Sequence, residues 1–278
     1  MRNIKIVADS SSDIFTLSCV PYSVASLKII TKEKEFTDDE NLNVAEMVDY
    51  LGGYKGKSST SCPNCSDWID SFGEAEEVFC VTITGTLSGS YNAAVMAKKT
   101  YEETHPDRKV YVLNTLSAGP EIALIIEKLE ELVKEELSFE EICQKIEKYR
   151  EKTGLVFMLE SMKNLANNGR VSPLVAKMAG ILGIRVVGKA SDKGDLEPLN
   201  KCRGEKKALD AIIKNMKELG FKGGKVNIAH CFSEGAAKEL KEKIKSVYTG
   251  ANIKLYACKG LCSFYAEKGG MLVGFEKA

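Results

Sequence analysis

Long apolar runs and an export signal are both missing from this chain. No stretch approaches the roughly 20 apolar residues that are needed to span a bilayer, and the first three residues lead directly into the apolar run 4–8. We therefore expect a cytoplasmic protein. In that compartment the nine cysteines would be reduced thiols and not a disulfide framework.

An excess of charge of either sign is also missing. The chain carries 39 basic and 39 acidic residues, so its formal net charge is zero. Electrostatic attraction to nucleic acid is therefore not expected. The hydrophobic content of 44% is enough for a sizeable core, and 278 residues can form two domains.

Common catalytic motifs are not found. No Walker loop is present, and no Gly-x-Gly-x-x-Gly follows the first predicted strand, which argues against a nucleotide-binding domain. Ser88 lacks the glycine two residues before it that a nucleophile elbow requires. No spaced set of carboxylates indicates a metal, so we expect neither a metal nor a cofactor.

Cysteine spacing leaves one alternative open. Cys62 and Cys65 have the separation of a redox pair or half of a zinc site, and Cys258 and Cys262 are the only other close pair. A thioredoxin-like motif should follow a strand, whereas Cys62 follows a polar stretch. Free thiols are the favoured interpretation, with a thiol- or zinc-dependent module as the alternative.

The order of predicted elements indicates an α/β protein with two domains. In residues 1–153 strands alternate with helices, which is typical of a parallel, Rossmann-like sheet with flanking helices. In residues 154–278 the strands fit a mixed sheet with helices, including a hairpin around 192–195. The predicted strands lie at 4–8, 24–30, 78–84, 110–113, 155–159, 184–187, 196–199, 226–229, 253–257 and 271–275. The clearest predicted helices lie at 44–53, 91–104, 174–181, 205–219 and 233–247.

Clusters of hydroxyl residues are the most informative feature. They occur at 10–12, 58–61 and 86–90, and the third lies in a small-residue turn between a predicted strand and a helix. Such a turn at the carboxyl end of a strand can form a pocket. Neutral hydroxyls can hold an anionic group but supply little acid or base strength, which favours binding over catalysis. Ser88 is the main candidate, with helix capping as its alternative role.

Five short motifs, in the same order along the chain, resemble those of the DegV family of bacterial fatty-acid-binding proteins. The family includes the binding subunit of a fatty acid kinase. The motifs are Ile6-Val-Ala-Asp-Ser-Ser-Ser-Asp13, Ser59-Thr-Ser-Cys-Pro63, Leu87-Ser-Gly-Ser-Tyr-Asn-Ala-Ala94, the stretch 159–172 with its Asn-Gly-Arg-Val-Ser172, and Lys201-Cys-Arg-Gly-Glu-Lys-Lys-Ala208.

The resemblance implies that a long-chain fatty acid binds between two α/β domains. Its carboxylate would be held by hydroxyls, its acyl chain would fill a tunnel formed by residues 154–278, and a separate fatty acid kinase would phosphorylate it. The chain would be a carrier and not an enzyme, a monomer or weak dimer that touches a membrane surface transiently. The implied fatty-acid contacts are Asp9, Ser10, Ser59, Thr60, Ser61, Ser88, Gly89 and Tyr265. Arg170 and Arg203 would face the kinase or the membrane.

Departures from the family pattern concern the head-group end. The family has a histidine near the carboxyl terminus, and here Tyr265 or a neighbour takes that position. A phenol can still donate one hydrogen bond. Cys62 replaces the family glutamine, and a family proline is missing from 184–187. An enzyme that uses Asp9 or His230 as acid or base on a small carboxylated or phosphorylated substrate is the alternative function.

Overall fold

The computed structural model describes residues 2–180 and 183–278, which form three sheets with helices around and between them. The strands are β1 (Ile4–Asp9), β2 (Tyr22–Ala25), β3 (Lys28–Ile30), β4 (Glu35–Thr37), β5 (Ser59–Ser61), β6 (Glu77–Thr82), β7 (Lys109–Asn114), β8 (Thr153–Leu159), β9 (Ile184–Ala190), β10 (Leu196–Arg203), β11 (Lys225–His230), β12 (Asn252–Ala257) and β13 (Met271–Glu276). The helices are α1 (Val44–Gly53), α2 (Cys65–Phe72), α3 (Ser90–Thr104), α4 (Pro120–Lys134), α5 (Phe139–Glu151), α6 (Lys163–Asn167), α7 (Pro173–Ala176), α8 (Glu205–Glu218), α9 (Glu234–Val247) and α10 (Gly260–Ala266). A short 3-10 turn spans Ser10–Ser12.

The first sheet is parallel, as the sequence predicts. Its strand order is β2-β1-β6-β7. Helices α4 and α5 pack on one face, and α2 and α3 pack on the other. Because the strands are covered on both faces, they are nearly continuous apolar runs. The carboxyl ends of β1 and β6 lie side by side, with Ala8 opposite Val81, and the loops that follow them meet at one edge of the sheet.

The second sheet is mixed, which confirms the predicted fold class. Its order is β10-β9-β8-β13-β11-β12, and only β11 and β12 are parallel neighbours. Helices α8 and α9 cover one face with a continuous aliphatic core. The hairpin expected around 192–195 joins β9 to β10.

A third, small sheet with the order β4-β3-β5 corrects two local predictions. The predicted strand 24–30 is two strands, because β2 joins the first sheet and β3 joins the third. The serine-rich stretch predicted as a loop contains β5, which pairs with β3. The helix predicted over 174–181 is much shorter, since α7 ends at Ala176, and Ile181 lies outside the described residues.

Helix α4 lies between the first and second sheets. It contacts β1 and β6 on one side and β8, β11 and β13 on the other, and its first turns are buried almost all round. The backbone of β13 comes very close to it, since a Cβ on Gly274 would lie 2.4 Å from the Glu121 nitrogen. The two halves of the chain are therefore packed together through one apolar helix.

Helix α10 matches none of the helices predicted from the sequence, and it links the second half of the chain to the first. It lies late in the chain but packs against α1, β3 and the 3-10 turn of the first half. The division between residues 153 and 154 stays a prediction, and β8 begins there, at Thr153. Within the described residues, no helix combines the length and apolar character that a membrane span needs.

Candidate ligand-binding site

A cavity with an apolar wall lies between the edge of the first sheet and the second sheet. It has about 830 Å³ of space free of protein atoms, its open mouth included. Its apolar wall is built by both halves of the chain, from Leu27, Ile83, Leu87, Ala118, Leu155, Phe157, Leu159, Leu165, Ala190, Leu196, Leu261, Ala266 and Leu272. Such a wall favours a largely hydrocarbon ligand.

The polar part of the wall includes a hydrogen-bonded pair from distant parts of the chain. The hydroxyl oxygens of Thr60 on β5 and Tyr265 on α10 lie 2.7 Å apart. Burial raises the pKa of the Tyr265 phenol, so the phenol keeps its proton at neutral pH. The pair therefore presents at least one hydroxyl donor to an acceptor in the cavity.

Ser88 lies in the turn between β6 and α3 and also lines the cavity. Its Oγ accepts a hydrogen bond from the Ser90 nitrogen at 3.2 Å. Gly89 holds the N-cap position of α3 and no side chain caps it, so Ser88 supports the start of the helix from one residue before the cap and does not fill the N-cap role itself. Helix support and ligand contact are compatible, because accepting this bond leaves the hydroxyl proton of Ser88 free to be donated to a ligand.

Asp9 lies beneath this turn and is fully buried. Its Oδ2 accepts hydrogen bonds from the Ile83 nitrogen at 2.9 Å and the Ser90 hydroxyl at 2.6 Å, and Ser11 donates to its Oδ1. Burial raises the pKa of Asp9, and these hydrogen bonds oppose that rise. The carboxylate thus fixes the turn that carries Ser88, and it is not among the side chains that line the cavity.

The other fatty-acid contacts implied by the resemblance do not line the cavity. Ser10 is fully buried, and its Oγ accepts a hydrogen bond from the Leu27 nitrogen at 3.0 Å. Ser59 and Ser61 flank Thr60 on β5, so strand alternation directs them to the opposite face. Gly89 begins α3 where a Cβ would lie 3.1 Å from the Cys62 sulfur. None of these residues contributes to the cavity lining.

Arg170, which the resemblance places toward a kinase or a membrane, is half-buried at this site, and its partner-facing role stays a prediction. It lines the cavity and donates from Nε to the Leu87 carbonyl at 3.1 Å and from Nη1 to the Asn168 carbonyl. Its positive charge lowers the pKa of Tyr265 slightly against the larger effect of burial. The guanidinium gives this end of the cavity a cation, which suits an anionic ligand group.

Arg203 and His230 lie elsewhere. Arg203 is exposed at the end of β10. His230 ends β11, where its Nδ1 accepts a weak hydrogen bond from the Ser233 nitrogen at 3.4 Å, and desolvation lowers its pKa. Neither side chain lines the cavity. Because Asp9 is fully engaged as well, no observation favours the enzyme that the sequence left open.

The thiol alternative also finds no support in the geometry. Cys62 and Cys65 are partly exposed free thiols, and Asn64 between them caps α2. Cys258 and Cys262 are buried in another part of the protein, beside Ala229. Over residues 2–180 and 183–278 no group of three or more potential metal ligands is brought together.

Two further hydroxyls in the wall were missed at the sequence level. Thr84 and Ser117 line the cavity from the loops that follow β6 and β7. The Thr84 nitrogen donates to the Ser117 carbonyl at 2.9 Å, which joins the two loops. A signal was available, since small polar residues follow each of these predicted strands.

Similar proteins give this cavity a context. A family model with the description "Uncharacterised protein, DegV family" matches residues 3–278. A DegV domain-containing protein of Streptococcus pneumoniae is 42% identical over 276 residues, which cover 98% of each chain.

Solved structures are similar over the same length. A DegV family protein of Eubacterium eligens, loaded with heptadecanoic acid, is 41% identical with a TM-score of 0.97, and the match covers 99% of this chain and 100% of that one. The fatty acid kinase B3 protein of Streptococcus pneumoniae, loaded with linoleic acid, is also 41% identical with a TM-score of 0.97, over 100% of both chains.

Proposed function

The chain belongs to the DegV family, and from this premise we propose that it binds a long-chain fatty acid and presents the carboxylate to a separate fatty acid kinase. The observation that carries the proposal is the cavity itself. Its wall is largely apolar, and several hydroxyls, the guanidinium of Arg170 and the side chain of Asp195 also line it. A fatty acid has the same division into a hydrocarbon chain and an anionic head.

Three residues are proposed to bind the carboxylate directly. Thr60 and Tyr265 form one hydroxyl pair, and Ser88 supplies a third hydroxyl with a free proton. Arg170 supplies the positive charge nearby. Asp9 and Ser10 are proposed to act through the backbone that they hold, and not by contact. The donor set is neutral apart from Arg170, so it can hold a carboxylate without supplying a strong acid or base.

The acyl chain is proposed to lie along the aliphatic wall. The two similar structures described above hold heptadecanoic and linoleic acid, and both ligands are long unbranched acids. Burial of each methylene group contributes about 0.8 kcal/mol, so the chain supplies most of the affinity and the head group sets its orientation.

The proposal includes a role as carrier and not as enzyme. The similarity to a protein named for a fatty acid kinase supports a kinase partner. We further propose two domains that meet near residue 153, a monomeric or weakly dimeric protein in the cytoplasm, and transient contact with a membrane during fatty-acid exchange. Arg203, exposed on β10, is a candidate contact for the partner.

A titration that separates head-group from chain recognition tests the proposal. Oleic acid and its methyl ester are added to the purified chain, and displacement of a fluorescent fatty acid is followed. We expect oleic acid to bind at least tenfold more tightly than the ester, because only the acid offers an ion for charge-assisted hydrogen bonds. Equal affinities, or no displacement by either compound, would contradict the proposal.

A further inference from the structure

The first turn of α10 is held by two carboxylates that are distant in sequence. Asp13 accepts a hydrogen bond from the Lys259 nitrogen at 3.0 Å. Asp38 accepts from the nitrogens of Gly260 at 2.8 Å and Leu261 at 3.0 Å. The residue at the N-cap of α10 makes no side-chain cap of its own. The free donors that every helix has at its start are thus satisfied from the opposite half of the chain.

Both carboxylates are buried, and the backbone is shaped to admit them. Asp38 is 0% exposed and Asp13 is 7% exposed. A Cβ on Gly260 would lie 2.5 Å from the Asp38 Oδ1, so glycine permits the approach. Asp13 itself adopts the left-handed conformation at φ 58°, which is uncommon outside glycine. Buried carboxylates are costly unless hydrogen bonds compensate them, so this arrangement restricts the position of α10.

Helix α10 in turn forms part of the cavity wall. Leu261, Cys262, Tyr265 and Ala266 all line it. Tyr265 lies one turn beyond Leu261, whose nitrogen donates to Asp38. A shift of the first turn therefore moves the phenol that meets Thr60.

We infer that Asp13 and Asp38 are positioning residues for carboxylate recognition, because they hold the start of α10 and thereby place Tyr265 beside Thr60. This inference rests on the proposed function, which it deepens by naming residues that set the geometry of the head-group end without touching the ligand.

Because Asp13 and Asp38 can each gain or lose a proton, their hold on α10 is expected to depend on pH. Burial, with a further contribution from the Asp38 charge, raises the pKa of Asp13 to about 8. Burial raises the pKa of Asp38 to about 6. At neutral pH Asp13 is therefore protonated and Asp38 is ionised. Several titratable and polar groups face the pair. They are Lys259 and Cys262 at the start of α10, Tyr256 on β12, Cys258 after β12, Cys231 after β11, and Ser10 and Asp39 from the first half of the chain.

Two pH limits follow for the wild-type chain. Below about pH 6 Asp38 gains a proton and its hydrogen bonds to the first turn weaken, because bonds to an ionised acceptor are the stronger ones. Above about pH 8 Asp13 ionises, and two like charges then repel each other in a buried place. The affinity for a fatty acid is expected to be highest between these limits.

Asp38→Asn tests the inference, with Glu40→Gln as the control on a nearby exposed carboxylate. Oleic acid is the probe, and its dissociation constant is measured from about pH 5 to about pH 9, a range that spans both limits. We expect Asp38→Asn to weaken binding about tenfold at neutral pH and to remove the acid limit. Glu40→Gln should leave both unchanged. A flat wild-type profile would overturn the inference.

A double-mutant cycle separates positioning from a general loss of structure. If Asp38 acts through the phenol of Tyr265, Asp38→Asn should weaken oleic acid binding by less than about twofold in a chain that already carries Tyr265→Phe. An equal loss in both backgrounds would contradict the inference. Should Asp38→Asn fail to fold, Asp13→Asn serves instead. The asparagine mimics protonated Asp13, so this variant should keep its affinity for oleic acid above about pH 8 and still lose affinity at acid pH. An unchanged loss of affinity at alkaline pH would count against the inference.

Hydrogen exchange of the ligand-free chain tests the positioning role independently of fatty-acid binding. Asp38→Asn should raise the exchange of the amides in 260–266 and leave those of α8 and α9 unchanged. This result does not depend on fatty-acid binding. A chain that takes up no oleic acid would contradict the proposed function, while unchanged exchange in 260–266 would contradict the positioning role.

Discussion

At the scale of single residues, the proposed head-group end combines neutral hydroxyl donors with the positive charge of Arg170. Ser88 accepts a hydrogen bond from the Ser90 nitrogen at the start of α3, so its hydroxyl proton is free for a ligand. Tyr265 is half-buried, and this burial raises the pKa of its phenol, so the phenol keeps its proton. Neutral donors of this kind can hold a carboxylate, but they supply little acid or base strength.

Replacement of Ser88 tests this directly. Ser88→Ala removes one proposed donor to the carboxylate, and we expect the dissociation constant of oleic acid to rise about tenfold, because hydrogen bonds to charged groups contribute about 1.5–3 kcal/mol. Displacement of a fluorescent fatty acid measures it. Ser61→Ala is the matched control, since Ser61 lies outside the cavity wall, and equal effects of the two changes would show that the assigned roles are mistaken.

Asp9 is expected to matter for stability more than for contact. Asp9→Asn places an amide group against the donors of Ile83 and Ser90. We expect the free energy of unfolding to fall by about 2–3 kcal/mol, measured by urea denaturation at neutral pH. The exposed Asp192 offers the control Asp192→Asn. A loss below about 0.5 kcal/mol for Asp9→Asn would mean that the turn does not depend on this carboxylate.

At the scale of elements, local signals predicted most helices and strands but not the ones that complete the site. Asn43 and Ser138 cap α1 and α5 as their sequences indicate. Helix α10 carries no such signal, because its capping groups are Asp13 and Asp38 from the other end of the chain. The small sheet escaped prediction for a similar reason, since β5 is stabilised by its pairing with β3.

The contact between α4 and β13 gives a prediction at this scale. Gly274→Ala would place a methyl group 2.4 Å from the Glu121 nitrogen, and backbone cannot yield as a flexible side chain would. We expect the free energy of unfolding to fall by about 2–4 kcal/mol. Thermal and urea unfolding measure the change.

Helix α9 supplies the control for this substitution. A Cβ on Gly235 meets nothing within 4 Å, and alanine is favoured over glycine inside a helix. Gly235→Ala should therefore be neutral or stabilise the chain by up to about 1 kcal/mol. If Gly274→Ala behaved in the same way, the close approach of α4 to β13 would be refuted.

At the scale of the whole molecule, the two halves are held together by segments that cross between them. Helix α4 packs against both large sheets, and α10 returns to the first half. The sequence could predict the parallel sheet and the mixed sheet from periodicity and turn residues. It could not predict the cavity, because the wall residues are dispersed and only packing brings Leu27, Phe157 and Leu261 together. The same limit applies to Arg170, whose place in the cavity wall depends on packing.

Buried carboxylates predict how stability depends on pH. Burial raises the pKa of Asp9 and Glu121, that of Asp38 to about 6 and that of Asp13 to about 8. In the unfolded chain such groups titrate near pH 4. Between about pH 4 and pH 8 the folded state therefore binds more protons, and the free energy of unfolding should fall as pH rises.

Urea denaturation at about pH 5 and about pH 8 measures this dependence. Asp13→Asn removes a carboxyl whose pKa is raised to about 8 in the folded chain, so the variant should lose less stability between the two pH values than the wild type does. Stability that rises with pH across this window would contradict the assignment of raised pKa values.

The central claim is that the cavity holds a long-chain fatty acid, and the most direct measurement is mass spectrometry of the ligand extracted from the purified chain. We expect about one long-chain fatty acid per chain, because a tight hydrocarbon ligand survives purification. Ala118→Phe, which fills the cavity wall, should reduce this occupancy strongly, whereas Ala211→Phe, on α8 away from the cavity, should not. A wild-type chain that carries no acyl species and takes up no added oleic acid would contradict the claim.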